Sequence, residues 1–346
     1  MPLTLTEVST LSGDNNLRYD AAWSVSGLTY TLYKSNINPQ LIRLIFQAIE
    51  DSGAGIPDYR LLRLTPATDA ALRNVAAGAN ALAGVTGADN TAFGNNAADA
   101  GVTGIQNTAV GSAALTSLTS GNNNTAVGHD SLFTNQTGLR NTAVGKHSLR
   151  LATGNDNTAV GNNCLDSADT ANDATAVGSD ALQALTTGGN NVAVGRAAAQ
   201  AIDTGSDCTI IGAYAGFNTT AGFQTFIGSN TGNANTTGFN NVAIGAYAFN
   251  QNTNGEHNVC VGNDAGQVIN SGNSNVCIGS GADVNANNRE RCIVLGRDAE
   301  AQADGEVVLG SAGFNVSVDA VAPVGATSYL NVRINGTAFK ILIQVP

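Results

Sequence analysis

A chain of 346 residues with 15 Lys and Arg against 26 Asp and Glu carries a net charge of −11. That balance, with no basic cluster to offset it, argues against a nucleic-acid or anionic-membrane partner. With 41 Gly, one Met, one Trp and only 12% charged residues, the composition does not suit an ordinary globular enzyme.

Met1-Pro2-Leu3-Thr4 lacks the positive end and apolar core of a secretory signal. No run approaches the ~18 apolar residues of a membrane span. The expectation is a soluble chain made in a cytoplasm, with no membrane insertion.

Residues 1–86 are not repetitive and read as a small α+β N-terminal domain. Trp23, Val25, Leu28, Tyr30 and Leu32 alternate around Ser26-Gly27, which predicts a hairpin. Asn38-Pro39 then offers an N-cap and first-turn proline. Leu41, Leu44, Ile45, Ala48 and Ile49 follow at helical spacing before Ser52-Gly53. Residues 54–67 read as a connector, and Thr68 as the cap of a short Ala-rich helix ending near Gly78.

From 87 to 313 a pentapeptide like Asn-Thr-Ala-Val-Gly keeps returning. Its glycines are Gly94, Gly111, Gly128, Gly145, Gly161, Gly178, Gly195, Gly212, Gly228, Gly245, Gly262, Gly279, Gly296 and Gly310. The steps are 16 or 17 residues, except for a last step of 14. Such a period is the signature of a solenoid. It predicts an all-β parallel β-solenoid, or β-roll, with two short strands and two turns per coil. The glycine supplies a positive-φ corner. A small residue follows three positions later (Ala114, Ala181, Ala248), and an asparagine precedes it by four (Asn107, Asn141, Asn258), placed to hydrogen-bond from coil to coil.

Strands such as Val242-Ala243-Ile244 are apolar on both faces. One face can fill the coil and the other would lie in water. Burial against sister chains removes that stripe, so a homotrimer is expected.

After Gly310 the rhythm stops. Leu330-Asn331-Val332-Arg333-Ile334 alternates into Asn335-Gly336 and then Phe339, Ile341 and Ile343, a strong hairpin signal. Residues 314–346 are therefore expected to be a β-hairpin cap that covers the open strand edges of the last coil.

Chemistry-bearing residues are scattered. Cys164, Cys208, Cys260, Cys277 and Cys292 lie in different repeats with no Cys-x-x-Cys, and read as small buried side chains rather than metal ligands or disulfides. Cys260 and Cys277 share one slot and should stack about 4.8 Å apart. His129, His147 and His257 fall on separate coils. Glu256 and Glu290, two coils apart, are the best acid pair for a glycan hydrolase, and Asp156, Asp173 and Asp207 share one slot where a Ca²⁺ is conceivable. Both groups read as solvated turn acids, so no catalytic residue, metal or cofactor is expected.

The repeats Asn107–Ala114 (Asn-Thr-Ala-Val-Gly-Ser-Ala-Ala) and Asn241–Ala248 (Asn-Val-Ala-Ile-Gly-Ala-Tyr-Ala) resemble the head repeats of trimeric autotransporter adhesins, and still more those of bacteriophage tail fibres. The resemblance covers about residues 87–313. It implies a trimeric parallel β-roll exposed on a surface and used for adhesion. The sequence departs from the bacterial adhesins in having no secretory signal, coiled-coil stalk or anchor barrel, which favours a fibre of the virion tail.

Residues 1–86 would then attach to other phage tail or baseplate proteins, and the shaft would meet a glycan or protein of the host surface. A capsid decoration trimer and a glycan-hydrolysing tailspike are the alternatives. The candidate receptor-binding residues are Tyr214, Phe217, Phe223, Phe239, Tyr247 and Phe249, aromatic rings crowded into three consecutive coils.

Overall fold

The computed structural model describes residues 73–311 without a break, together with segments 20–25, 28–33, 63–64, 314–315, 328–334 and 337–343; side chains are described over 73–310. The chain divides into two compact units, Met1–Leu139 and Arg140–Pro346. They contain a parallel β-solenoid of about 14 turns, each of about 17 residues, with no helix among the described residues.

In the first unit β1 (Asp20–Val25) pairs antiparallel with β2 (Leu28–Tyr33), Trp23 lying opposite Tyr30. This is the expected pair of strands. β3 (Arg63–Leu64) runs antiparallel to β4 (Val75–Ala77). β4 then opens a parallel ladder with β5 (Thr91–Phe93), β6 (Thr108–Val110) and β7 (Thr125–Val127).

The coil pattern therefore begins at Val75, ahead of the expected start at 87, with Gly78 at φ 127° as its corner. The short helix expected to end at Gly78 does not include residues 75–77, whose backbone belongs to the ladder. Its earlier part, and the helix expected after Asn38-Pro39, lie outside the described residues.

The second unit stacks β8 (Thr142–Val144), β9 (Thr158–Val160), β10 (Thr175–Val177), β11 (Val192–Val194), β12 (Thr209–Ile211), β13 (Thr225–Ile227), β14 (Val242–Ile244), β15 (Val259–Val261) and β16 (Val276–Ile278), each parallel and in register with the next. A second, two-residue ladder joins β17 (Asp283–Val284) to β19 (Glu300–Ala301). β18 (Ile293–Leu295) continues the main stack to β20 (Val307–Ser311). The parallel order ends there, because β20 pairs antiparallel with β21 (Phe314–Asn315), Gly310 facing Asn315. β22 (Ser328–Ile334) and β23 (Thr337–Ile343) pair antiparallel, with Ile334 opposite Thr337, the register predicted around Asn335-Gly336.

From β4 to β16 each coil strand is three residues long, and its side chains alternate. In Thr158-Ala159-Val160 the alanine is fully buried, the threonine half-buried and the valine exposed. The middle residue fills the coil and its neighbours point out. The glycine that follows is required twice over. Gly161 has φ 144°, a region L residues rarely enter, and a Cβ there would run into the carbonyl oxygen of Gly178 on the next coil.

Asparagines four positions before the glycine form the expected ladder. Asn258 donates its backbone N–H to Asn241 Oδ1 at 3.0 Å and its Nδ2 to Gly272 O at 2.9 Å, while its own Oδ1 accepts from the Asn275 N–H at 3.0 Å. Both polar ends of a fully buried side chain are thus satisfied.

Among the described residues, the second strand expected in every coil is present only at β17 and β19. Elsewhere the far side is a run of turns in which residues two and four positions after the glycine are left-handed, as in Asp130 (φ 55°) with Leu132 (φ 49°), and Asp180 (φ 59°) with Leu182 (φ 48°). Left-handed residues interrupt a pleated ladder. Asp283 and Glu300 stand in the fourth position without a positive φ, and there the second ladder forms.

Candidate functional site

The aromatic coils lie in the second unit between β12 and β15. Tyr214 and Tyr247 sit two residues after their glycines, both left-handed at φ 56°, which swings the rings out at the corner that follows the strand. Their backbones are tied to the preceding coil by Tyr214 N–H to Arg196 O and Tyr247 N–H to Ser229 O, each 2.9 Å. Tyr247 is 46% exposed. Tyr214 and Phe217 are half-buried and meet edge to face, with centroids 5.8 Å apart. The Arg196 guanidinium lies over the Tyr214 ring, 4.8 Å from its centroid.

Phe223 and Phe239 occupy the opposite corner, before the strand, as expected. Phe223, at φ 59°, is 58% exposed. Phe239 packs edge to face on His257 at 5.2 Å, and His257 Nε2 lies 3.3 Å from Asn240 Nδ2. The candidate residues thus form two surfaces at the two ends of the short strands.

Phe249 does not belong to either. It is fully buried, left-handed at φ 53°, and fills the coil across from Ala243. Its place four residues after Gly245 puts it in the column that points inward, where Leu165 and Leu182 stand in other coils. It cannot touch a receptor. Arg196 and His257 are the partners that ring counting alone misses; both stand one coil away from an aromatic residue, in corner positions.

The remaining candidates are held by their neighbours. Asn273 lies between Glu256 and Glu290, accepting the Glu256 N–H at 2.7 Å and reaching the Glu290 carboxylate at 3.5 Å, with Arg291 on its other side at 3.7 Å. Asp156 accepts a two-pronged bond from Arg140 at 2.5 and 2.7 Å, which holds its carboxyl below the usual range. Asp207 accepts from Asn190 Nδ2 at 3.2 Å.

All five cysteines are free thiols and buried. Burial pushes Cys164 up to about 12 and Cys208 up to about 11. Cys260 and Cys277 are partners across adjacent strands, as predicted. The Cys277 thiol, and then burial, push Cys260 well above its ordinary range. These are packing residues held in the reduced, uncharged form.

No family model matches the sequence, and no curated protein matches it.

Proposed function

We propose that this chain is a structural appendage of a virion, a homotrimeric phage tail fibre that meets the host surface through its solenoid and is not an enzyme. The observation that carries the reading is the outward column of the strands. Val144, Val160, Val177, Ile211, Ile244 and Ile278 each stand exposed one residue before the glycine, 37–41% accessible, in one register down the second unit. A second outward column, three residues before the glycine, changes from Thr142, Thr158 and Thr175 to Val242, Val259 and Val276.

In a single chain these β-branched rows face water along many coils. Packing three copies around a common axis buries them, and a stack of sparsely charged coils suits a fibre. The resemblance of the repeats to those of phage fibres and trimeric adhesins supports the same reading. So do the exposed rings of Tyr247 and Phe223 and the half-buried ring of Tyr214, whose flat apolar faces suit the C–H faces of a sugar. Residues 1–86 then attach the fibre to tail or baseplate proteins, and the hairpin of β22 and β23 caps it.

Sedimentation equilibrium at micromolar concentration is expected to give three times the mass of 34.9 kDa. Antibody labelling of whole particles is expected to mark the tail. A monomer would remove the trimer, and label on the capsid shell would replace the fibre with a decoration protein.

A further inference from the structure

We infer that the corner formed by Arg196, Tyr214 and Phe217 is a subsite for a carboxylated sugar, a uronic-acid type of residue within a surface polysaccharide. The inference rests on the proposed host-binding role and names the class of ligand.

Within 73–310 the other arginines all have a carboxylate beside them. Arg73 meets Asp89, Arg140 Asp156, Arg150 Asp166, Arg289 Asp304, Arg291 Glu290 and Arg297 Asp298. Arg196 is the exception among the described residues. It is exposed and is laid over the Tyr214 ring at 4.8 Å.

An unpaired cation is unexpected on a chain with 26 acidic residues against 15 basic ones, where a carboxylate is the commoner charged neighbour. The carboxylate on the adjacent coil is committed elsewhere: Asp180 accepts from Asn163 Nδ2 at 3.2 Å and from Ser179 Oγ at 2.9 Å.

A guanidinium stacked on a ring keeps its in-plane N–H edge open. That edge matches a carboxylate, with two parallel charge-assisted bonds. The rings beside it supply the other half of a sugar site. Phe217 braces Tyr214 edge to face at 5.8 Å, and Asn233 Nδ2 fixes the Tyr214 carbonyl at 3.1 Å. The platform is therefore built from three coils and preset in orientation. A pyranose ring lies on the aromatic faces while its carboxylate reaches Arg196. The body's overall negative charge repels polyanions in general, so recognition depends on this one positive edge.

The test uses the full-length protein, a tetrasaccharide of alternating glucuronic acid and N-acetylglucosamine, and its carboxyl-reduced neutral counterpart, with binding followed by calorimetry and ligand-observed NMR. The acidic sugar is expected to bind about tenfold tighter than the neutral one. Arg196→Gln should abolish that preference and leave neutral binding in place, whereas Tyr214→Ala should weaken both sugars. The melting temperature and sedimentation of Arg196→Gln should match the parent.

Equal binding of the two sugars, or binding of neither, overturns the inference. So does a changed sedimentation of Arg196→Gln, which would make the guanidinium a contact between subunits. Adsorption of the intact protein to host cells is measured in parallel. Adsorption without acid preference sinks the subsite and leaves the fibre standing, and acid preference without adsorption does the reverse.

Discussion

The coils at Thr142–Val144, Thr158–Val160 and Thr175–Val177 fill their interiors from the turn side, and those at Thr209–Ile211, Thr225–Ile227 and Val259–Val261 fill them from the strand side. In the first group the middle strand residue is alanine (Ala143, Ala159, Ala176), and the fourth residue past the glycine is leucine (Leu149, Leu165, Leu182). In the second group the strand carries Ile210, Phe226 or Cys260, and the facing position is Gly216, Gly232 or Gly266. The coil at Val242–Ile244 reverts, with Ala243 facing Phe249.

The two positions compete for one space. A Cβ on Gly232 would lie 2.5 Å from Phe226 Cε2, and one on Gly216 would lie 3.0 Å from Ile210 Cδ1. The lesson is that in these coils the side chain that fills the interior switches walls, large on one where it is small on the other; the coil at Val192–Val194 departs from this, with the buried Ala193 and Ala199 in the two positions.

The largest effect breaks that exchange. Phe226→Ala empties the coil from the strand side while Gly232 leaves nothing to refill it, and should cost about 3–5 kcal/mol in urea unfolding. Gly232→Leu alone should also destabilise, by about 1–3 kcal/mol, because the new side chain meets the Phe226 ring. The double variant Phe226→Ala/Gly232→Leu reproduces the pairing of Ala159 with Leu165 and should recover most of the loss. The backbone permits it, since Gly232 at φ 57° lies close to Leu165 at φ 51°. A double variant no better than the sum of the singles would show that the walls do not share one volume.

This exchange also marks what the sequence did and did not disclose. The glycine corner and the asparagine ladder were legible because each needs one residue type at one spacing: Gly161 has no room for a Cβ, and Asn258 must both donate and accept. The stack of Cys260 on Cys277 followed from register alone.

Phe249 was misread because the crowding of aromatic residues into three coils does not say which way each ring points. The left-handed residues at Tyr247 and Phe249 turn the chain so that the second position faces out and the fourth faces in. A signal was available, since in the column Leu149, Leu165, Leu182, Ala199, Gly216, Gly232, Phe249 every residue larger than alanine stands opposite an alanine of the strand column, and every glycine opposite a larger side chain. The missing second strands come from the same left-handed positions. Arg196 over Tyr214 was not legible, because a cation–ring contact between coils depends on where corner side chains point and has no periodic signature.

A smaller effect separates the coil at Asp283 from its neighbours. There the fourth position after the glycine, leucine in other coils, is a half-buried aspartate beside the inward Val284; its Oδ2 accepts from Val268 N–H at 2.9 Å and its Oδ1 from Val284 N–H at 2.8 Å. Burial raises it from its ordinary 3.8 to about 6, outweighing those bonds, with Glu300 on the paired strand adding to the rise. Between those two values the folded chain holds a proton that the unfolded chain has released. Stability therefore falls as pH rises from about 4 to about 6 and stays level above, a loss of at most roughly 3 kcal/mol. Asp283→Asn keeps an acceptor and removes the ionisation, so its unfolding midpoint should lack that decline. A parent and variant with parallel pH profiles would show that Asp283 titrates as if in water.

The smallest effect concerns a gap in the asparagine ladder, and it should raise stability. The slot four residues before the glycine holds Asn141 and Asn157, then Ala174, then Asn191. Asn157 Oδ1 accepts the Ala174 N–H at 3.0 Å, so the ladder reaches the gap from one side. Ala174 has no side-chain acceptor to offer the Asn191 N–H in return. The slot itself is built like the others: Ala174 is fully buried, and its carbonyl accepts from the Thr158 N–H at 2.8 Å, as Asn157 O does from Thr142.

Ala174→Asn would place Oδ1 where Asn191 N–H can donate to it, and Nδ2 where the carbonyl fourteen residues on, Gly188 O, can accept, matching Asn191 with Gly205 and Asn157 with Ala171. A satisfied buried amide contributes on the order of 1 kcal/mol net, less the entropy of ordering the side chain. The urea midpoint should rise slightly, and the Asn191 N–H should exchange more slowly with deuterated solvent. A fall in the midpoint would mean that the coil at Ala174 is narrower than its neighbours and that the alanine is there for space.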